Sequence, residues 1–363
     1  MQAPVTYVHI SYEGIDITRN IAHFLLSFTF TDNAGGKADD ISLSLQDKAG
    51  TWLRDWLPSK GDVINAAIVQ DSKDRTQLLP CGFFTIDQID YSEAPATFTI
   101  KCVSASVRKN MVQRKHSRSW ENVTLREIIA DMAAKNGLAL FIDAEAENHI
   151  ARVDQTEQSD LEFLKEICSD YGLNVKIQEG RLVIYDAAKY EEKPPALTIT
   201  RGDKNILSAR FSSKSAKVYK KARVKYHDPV KDEVYEAEEV DDDEEGSERE
   251  LEICERVESQ ADAQRVAAQR LKNANRKEIT GSITLLGDTN LAAGQTVLLA
   301  GYGMFSGIHF INKATHTVGS SGYTVSLELG QPQSSKKAAK KRKASRKAKT
   351  VHSEIFYEGD KHY

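Results

Sequence analysis

The chain carries one local pattern twice, as Thr124-Leu-Arg-Glu-Ile-Ile-Ala-Asp-Met-Ala-Ala-Lys-Asn-Gly137 and as Ser159-Asp-Leu-Glu-Phe-Leu-Lys-Glu-Ile-Cys-Ser-Asp-Tyr-Gly172. Each copy opens with a Ser/Thr-x-x-Glu capping box, in which the hydroxyl accepts a hydrogen bond from a backbone amide and the glutamate bonds back. Apolar residues then recur at helical spacing, and each copy ends at a glycine that suits a left-handed C-cap. A short strand-like run follows each glycine. The copies lie 35 residues apart, so the sequence predicts a small module of two helix–strand units.

The length and composition are typical of a folded globular protein, and no export signal is recognisable in the sequence. Its 363 residues allow two or three domains, and 40% of them are hydrophobic and 28% charged. No apolar run approaches the ~20 residues of a membrane span, and the start resembles no secretory signal, so we expect a soluble chain made in the cytoplasm. The cysteines have no metal-binding spacing, and we expect free, buried thiols at Cys81, Cys102, Cys168 and Cys254.

Strand-like segments flank the module on both sides. Alternating β-branched and aromatic residues predict N-terminal strands within 5–10, 24–30, 41–45, 63–69, 83–89 and 97–103. The pattern resumes after Pro194-Pro195 and predicts further strands at 197–200, 206–211, 218–226 and between 279 and 329. Short strands separated by turn residues favour an antiparallel barrel or a sandwich. Trp52 and Trp56 interrupt the first set, and we interpret them as an apolar plug at one end of it, with a ligand site as the alternative.

Charge defines the remaining segments. Residues 105–123 are basic and predict an irregular connection, and a helix is predicted near 260–273. The acidic block 236–250 predicts a solvated loop, because its carboxylates repel one another; it lacks the ligand alternation of a Ca²⁺ site. The basic run 336–349 predicts a flexible tether, with nucleic-acid binding through phosphates as the alternative.

The search for a catalytic site yields only weak candidates. Carboxylates that could serve a glycosidase occur at Asp39, Asp40, Glu127 and Glu162, but the two glutamates are already assigned to the capping boxes. The nine histidines are scattered, and the glycines of 301–307 precede β-type residues instead of a helix. We therefore predict no catalytic, cofactor or metal site, and no enzyme.

The order of these segments resembles a known family. A β region leads through Lys109-Asn-Met-Val-Gln-Arg-Lys-His-Ser-Arg-Ser-Trp120 into the two capped helices, and a second β region follows. Over roughly residues 1–332 this resembles the late control protein D family, the baseplate hub proteins of contractile-tailed phages and related bacteriocins. It is also similar to the hub part of type VI secretion spike proteins. The basic segment ending in Ser-Trp and the two helices carry most of this resemblance.

The resemblance implies an α+β, mostly β fold, with two tube-like antiparallel β-barrel domains joined by the small helix–strand module. The predicted divisions are an N-terminal domain 1–107, the module 108–196, a second β domain 197–332 and a basic tail 333–363. It also implies a homotrimer that forms a pseudo-sixfold ring between the sixfold tail tube and the threefold central spike. With no needle or lysozyme-like domain visible, we expect the spike to be a separate protein.

The partners implied by the resemblance are the spike, a tube initiator or tube protein, the tape-measure protein and the wedge proteins, around a channel that DNA can pass through. We expect the chain in the baseplate of a virion or other tail particle, assembled in the host cytoplasm. Whether that particle is a phage or a headless bacteriocin stays open. Two alternatives of another class are a tail-associated peptidoglycan-degrading enzyme and a nucleic-acid-binding protein that acts through its basic tail.

Overall fold

The computed structural model of the protein describes residues 5–72, 75–104, 111–112, 114–178, 180–214, 218–229, 231–242, 247–275 and 279–332. The predicted basic tail 333–363 lies outside the described residues. The N-terminal strands are β1 Val5–Tyr12, β2 Ile15–Asp16, β3 Leu25–Asn33, β4 Asp40–Gln46, β5 Val63–Asp71, β6 Thr76–Ser92 and β7 Thr97–Ser104. The middle of the chain contributes β8 Lys115–Thr124, β9 Ala139–Asp143, β10 His149–Ser159, β11 Leu173–Gln178 and β12 Arg181–Asp186.

The later strands are β13 Leu197–Thr200, β14 Ile206–Ser213, β15 Lys221–Asp228, β16 Glu233–Val240, β17 Glu250–Ile253, β18 Ile279–Leu286, β19 Thr296–Ala300, β20 Gly307–Gly319 and β21 Gly322–Gly330. The α-helices with assigned bounds are α1 Thr18–Ile21, α2 Leu125–Lys135, α3 Asp160–Asp170, α4 Ala187–Glu191 and α5 Gln260–Asn275. A short 3₁₀ turn spans Gly303–Phe305. The predicted strands and the helix near 260–273 are confirmed.

Both predicted capping boxes are present. The Thr124 and Ser159 hydroxyls each accept from the backbone N–H three residues on, at 3.3 Å, and each glutamate side chain bonds back to the cap residue. Gly137 and Gly172 have φ of 63° and 74°, the left-handed conformation that an L side chain disfavours. The strand after each glycine also forms, as β9 and β11. The repeated unit in 124–172 is therefore confirmed in detail.

The repeat begins earlier than the sequence suggested. Residues 115–123, predicted as part of an irregular connection, form β8 together with Thr124, and this strand pairs antiparallel with β10. Each copy is thus a strand, a helix and a second strand, and both final strands flank β12 in a three-stranded sheet. The prediction failed because β8 is polar, KHSRSWENVT, with its inward side chains only partly buried. Trp120 supplies the main apolar contact by stacking on Phe163 with ring centroids 5.3 Å apart.

Twelve of the remaining strands form two sets with the same order. The N-terminal set runs β3-β4-β7-β6-β5-β1, and the C-terminal set runs β14-β18-β21-β20-β19-β13. Counted along the chain without the two-residue β2, both follow the order second, third, sixth, fifth, fourth, first. Neighbours pair antiparallel throughout, except that β13 and β19 are parallel whereas their counterparts β1 and β5 are antiparallel. Because β20 also pairs with β3, the two sets form one sheet, and the short β2 beside β1 is its thirteenth strand.

The mostly β fold with antiparallel sheets is confirmed. In the described residues no strand pairing closes either set into a barrel, so the arrangement of two barrels stays a prediction. The core of the N-terminal set contains Phe28, Phe84 and Phe98, each at most 1% exposed, and extends across the seam to Val318 and Tyr323. The module and the C-terminal set have cores of their own.

A separate small unit interrupts the C-terminal set between β14 and β18. It consists of β15–β17 with α5 packed on them, around a core that includes Val224, Tyr235 and Leu271. The predicted acidic loop 236–250 was wrong at both ends, since 236–240 lie in β16 and Glu250 begins β17. Lys221 and Arg223 on β15 offset these charges: Arg223 pairs with Glu236, and Lys221 lies 3.2 Å from Glu238. Residues 243–246 lie outside the described part.

All four cysteines are free, as predicted, although Cys254 is exposed and Cys81 only partly buried. Burial raises the pKa of the Cys168 and Cys102 thiols to about 12. Across the described ranges, no helix has the length and apolar character needed to cross a bilayer.

We predict that the two capping boxes stabilise the module by similar amounts. Thr124→Ala and Ser159→Ala should each lower the free energy of unfolding by ~1 kcal/mol, because each leaves helix N-terminal amides without an acceptor. Ser119→Ala is the control, since Ser119 is exposed on β8, and it should stay within about 0.5 kcal/mol of the parent. Urea unfolding followed by circular dichroism measures all three. Cap variants indistinguishable from Ser119→Ala would contradict the assignment.

Candidate functional site

The seam between β3 and β20 joins the two halves of the large sheet. Residues 313–319 of β20 pair antiparallel with residues 27–33 of β3. Phe30 lies opposite His316, and their rings stack with centroids 6.0 Å apart. His316 Nε2–H donates to the Leu291 carbonyl at 3.0 Å, which leaves Nδ1 to accept from the Tyr323 hydroxyl at 2.8 Å. Burial lowers the pKa of His316, so the ring is neutral and the seam is uncharged at its centre.

A bulge lets β20 change partners along one edge. Residues 307–310 pair with β19 and residues 313–319 pair with β3, with Asn312 as the extra residue between them. The Asn312 carbonyl accepts from the Ala34 N–H at 3.0 Å, so the bulge also fixes the chain that leaves β3. One strand therefore belongs to both sets, and a shift at the bulge would misalign the halves.

Asp32, at the end of β3, joins three parts of the chain. Its Oδ1 accepts from Lys176 Nζ on β11 at 2.5 Å, and its Oδ2 accepts from the Ala293 N–H before β19 at 2.8 Å. The Asp32 and Lys176 side chains are only 10% and 13% exposed. The N-terminal strands, the module and the C-terminal strands thus meet at one buried ion pair.

Asp39 is the second carboxylate of this junction. Its Oδ1 accepts from the Asn33 N–H at 2.8 Å, and its Oδ2 lies 3.7 Å from Lys176 Nζ. Burial raises the pKa of Asp39 to about 6. Burial opposes the charge on Lys176 as well, but the two nearby carboxylates outweigh it and raise the pKa of that lysine. A single lysine therefore serves two acidic groups, in a place that water barely reaches.

Backbone contacts complete the docking of the module. The Tyr185 hydroxyl donates to the Ala34 carbonyl at 2.6 Å, and the Gly36 N–H donates to the Val175 carbonyl at 3.1 Å. A β-carbon on Gly35 would lie 3.1 Å from that carbonyl oxygen, a tight contact that favours glycine. The Gly35-Gly36 pair thus allows close approach of two backbones in addition to breaking a strand.

The inserted unit docks on the module at the C-terminal end of α3. Arg270 pairs with Asp170 at 3.0 Å, and the Arg265 guanidinium lies 3.7 Å from the centre of the Tyr171 ring. The Glu258 carboxylate accepts from the backbone amides of Ala151 and Arg152, at 2.7 and 2.6 Å. A cavity of about 580 Å³ lies between these surfaces. Cations at a helix C-terminus also complement its dipole.

The carboxylates considered for catalysis all have structural partners. Asp39 belongs to the junction, the Asp40 carboxylate accepts a hydrogen bond from the Thr31 side chain, and Glu127 and Glu162 complete the capping boxes. No group of three metal-ligating side chains occurs in the part of the chain that the structure describes. The absence of catalytic, cofactor and metal sites stays a prediction. The junction lysine, Lys176, was not among the sequence-based candidates, because it occupies a polar position of an alternating strand, on the face that usually meets water.

The two tryptophans pack as one aromatic cluster. Trp52 is buried between Phe24 and Phe98, with ring centroids 5.8 and 6.1 Å away, and Trp56 lies 5.4 Å from Trp52. They border an apolar cavity of about 380 Å³ at one end of the N-terminal strands. Trp56 remains 44% exposed, so the predicted plug is only partly buried in the single chain.

We predict that Lys176→Met destabilises the protein strongly and in a pH-dependent way. At pH 8 the loss should be about 3–5 kcal/mol, because two buried carboxylates lose their cation. The deficit should shrink toward pH 5, since the folded-state pKa of Asp39, already raised, rises further and the group takes up a proton.

The matched control for this prediction is Lys135→Met, which removes an exposed ion pair with Asp131 and should change stability by no more than about 0.5 kcal/mol. Urea unfolding at both pH values measures the difference. Equal losses for the two variants at pH 8 would show that the junction ion pair is unimportant.

Comparison with known proteins identifies the family. A family model described as phage tail baseplate hub (GPD) matches residues 108–322. The chain is 27% identical to the probable baseplate hub protein of Escherichia phage 186, over 86% of this chain and 90% of that protein.

Solved structures share the fold. The 43 kDa tail protein of prophage MuSo2 from Shewanella oneidensis is 15% identical, with a TM-score of 0.68 over 91% of this chain and 99% of that one. The E. coli c3393 protein, a component of the type VI secretion system, is 10% identical, with a TM-score of 0.50 over 86% of this chain and 74% of that one. Since the family model spans more than half of the sequence, from the module to the last hairpin, this chain belongs to the phage tail baseplate hub (GPD) family.

Proposed function

We propose that the chain is a structural hub that forms a homotrimer and joins a sixfold tail tube to a threefold central spike. The observation that carries the proposal is the common strand order of the two sets. A chain with two similar six-stranded units presents six of them when three copies form a ring. Such a ring would match six tube subunits on one side and three spike chains on the other. Each unit is proposed to act as one barrel-like wall segment of the channel.

Irregularities at matching positions support this equivalence. Leu26 is the extra residue of a bulge between β3 and β4, and Leu207 is the extra residue at the same place between β14 and β18. Both side chains are exposed, by 41% and 53%. Bulges are specific features of a sheet and re-aim side chains. Two equivalent exposed leucines are what a repeating neighbour, such as a ring of tube subunits, would contact.

Two parts of the chain have no counterpart in the other half, and we propose that they make the threefold contacts of the ring. The module at 114–192 and the inserted unit at 218–275 each occur once per chain, so a trimer holds three of each. They dock on each other through α3 and α5. We propose that these parts face the threefold spike and the wedge proteins, while the repeated strands face the tube. The domain divisions at 107, 196 and 332 are part of this proposal.

The wider setting follows the family. We propose a location in the baseplate of a tail particle assembled in the host cytoplasm, with a tube or tube-initiator protein, a tape-measure protein and a central spike as neighbours, and a central channel that DNA can pass through. The role is structural, because the acidic candidates are engaged in folding contacts. A zymogram of the purified chain on peptidoglycan should show no clearing; a cleared band would favour the enzyme alternative.

We predict that the purified chain self-associates into trimers. Across a concentration series, with and without the spike, mass photometry and light scattering should give species of one and three times the 40.5 kDa chain mass. A chain ending at Pro332 should behave alike, because the proposed contacts lie in the strands. A monomer under every condition, or a dimer as the end point, would contradict the proposal.

A further inference from the structure

Several strand edges in the large sheet have no strand beside them in the described residues, among them the outer edges of β13 and of residues 5–10 in β1. Two further open edges matter here, because they belong to the counterparts of the strands that form the seam. One is the outer edge of β14, which pairs only with β18. The other is the second half of β6: residues 63–71 of β5 cover it only as far as Thr85, and residues 86–92 pair with β7 alone. Open edges invite pairing with another chain. The pairing of β3 with β20, the internal seam of the chain, indicates which strand should cover each of these edges.

The strand β6 is the counterpart of β20. In both, a positive-φ glycine, Gly82 or Gly307, precedes a bulge that follows Ile86 or Ile311. Ile86 N–H donates to the Asp62 carbonyl at 2.9 Å, and Ile311 N–H donates to the Gln295 carbonyl at the same distance. The carbonyls of the two isoleucines also accept equivalent hydrogen bonds. The Gly61 N–H donates to the Ile86 carbonyl and the Gly294 N–H donates to the Ile311 carbonyl, both at 2.9 Å.

The strand β14 is likewise the counterpart of β3. The sequences Leu25-Leu-Ser27 and Ile206-Leu-Ser208 carry the same bulge, and Phe30 and Phe211 follow at equal distances. In the seam, β3 covers the second half of β20. The edges of their counterparts, β14 and the second half of β6, are both uncovered. They do not pair with each other within the chain.

Resting on the trimer of the proposed function, we propose that β14 of one copy pairs antiparallel with residues 88–92 of β6 in the next copy, in the register of the internal seam. That register places Tyr91 opposite Phe211, as His316 lies opposite Phe30. It also places Asp90 opposite Ser212 and Ser92 opposite Arg210. Seams within chains and seams between chains then alternate around the ring, six in all.

The side chains at these edges suit the pairing. Tyr91 is 38% exposed in the single chain and would stack on Phe211 as Phe30 stacks on His316. Arg210 would lie diagonally across from Asp90, an opposite-charge pair that favours this register over a slip. Pairing also removes two exposed edges that would otherwise promote aggregation.

Disulfide trapping tests the register directly. Directly opposite residues in an antiparallel pair lie about 4.5–5.5 Å apart at Cα, within the range of a disulfide. Asp90→Cys with Ser212→Cys, in a Cys254→Ser background because Cys254 is exposed, should give covalent dimers and trimers under oxidised glutathione. Gln88→Cys with Lys214→Cys is a second opposite pair and should do the same.

The matched control is Asp90→Cys with Ser213→Cys. A shift of one residue turns the side chain to the other face of the sheet, so this pair should form at least tenfold less cross-linked product. Trimers by mass photometry in which neither opposite pair cross-links, or in which the control cross-links equally, overturn the edge pairing and leave the hub proposal intact. A chain that never associates overturns both.

Discussion

The pairing of β3 with β20 is the constraint on which the rest of the structure depends. Without it, the chain would hold two sheets linked only by the module and free to take any relative position. With it, the phenylalanine core of the N-terminal strands continues onto Val318 and Tyr323, and the halves have one fixed relation. The buried Asp32–Lys176 pair then locks the module against the same seam, so one junction sets the position of every part.

A buried ion pair is weak support for stability but a strict condition on geometry. Two carboxylates and one lysine with little access to water tolerate only arrangements that keep them together, because an unpaired buried charge costs several kcal/mol. The junction therefore penalises a hub whose halves have shifted. We infer that the pair contributes more to the specificity of the arrangement than to the net free energy of folding.

Structural features that depend on neighbouring residues could be predicted from the sequence. The capping boxes, the C-cap glycines and the alternating strands depend on residues within a few positions of one another, so 124–137 and 159–172 could be predicted almost completely. Contacts between distant residues could not. The acidic segment 236–240 looked repulsive because its cations, Lys221 and Arg223, stand on the preceding strand of the hairpin.

One signal for the junction was present in the sequence. Phe28, Phe30 and Asp32 share the inward face of an alternating strand, and a carboxylate in that phase requires a buried partner. The identity of the partner depends on a register set more than a hundred residues away. The equal strand order of the two sets could not be predicted for the same reason, because it depends on pairings between distant strands. The two sets resemble each other in sequence in short segments such as Leu25–Ser27 and Ile206–Ser208, where both have a bulge.

We propose that each chain contributes two equivalent segments of the channel wall, so that a ring of three chains contains six such segments. A cryo-electron microscopy map of the assembled oligomer tests it most directly. We predict that the map contains three copies of the chain. The N-terminal and C-terminal strand sets should alternate around the ring at equal radius, related by rotations near one sixth of a turn. A ring in which the two sets lie at different radii, or one with a copy number other than three, would contradict it.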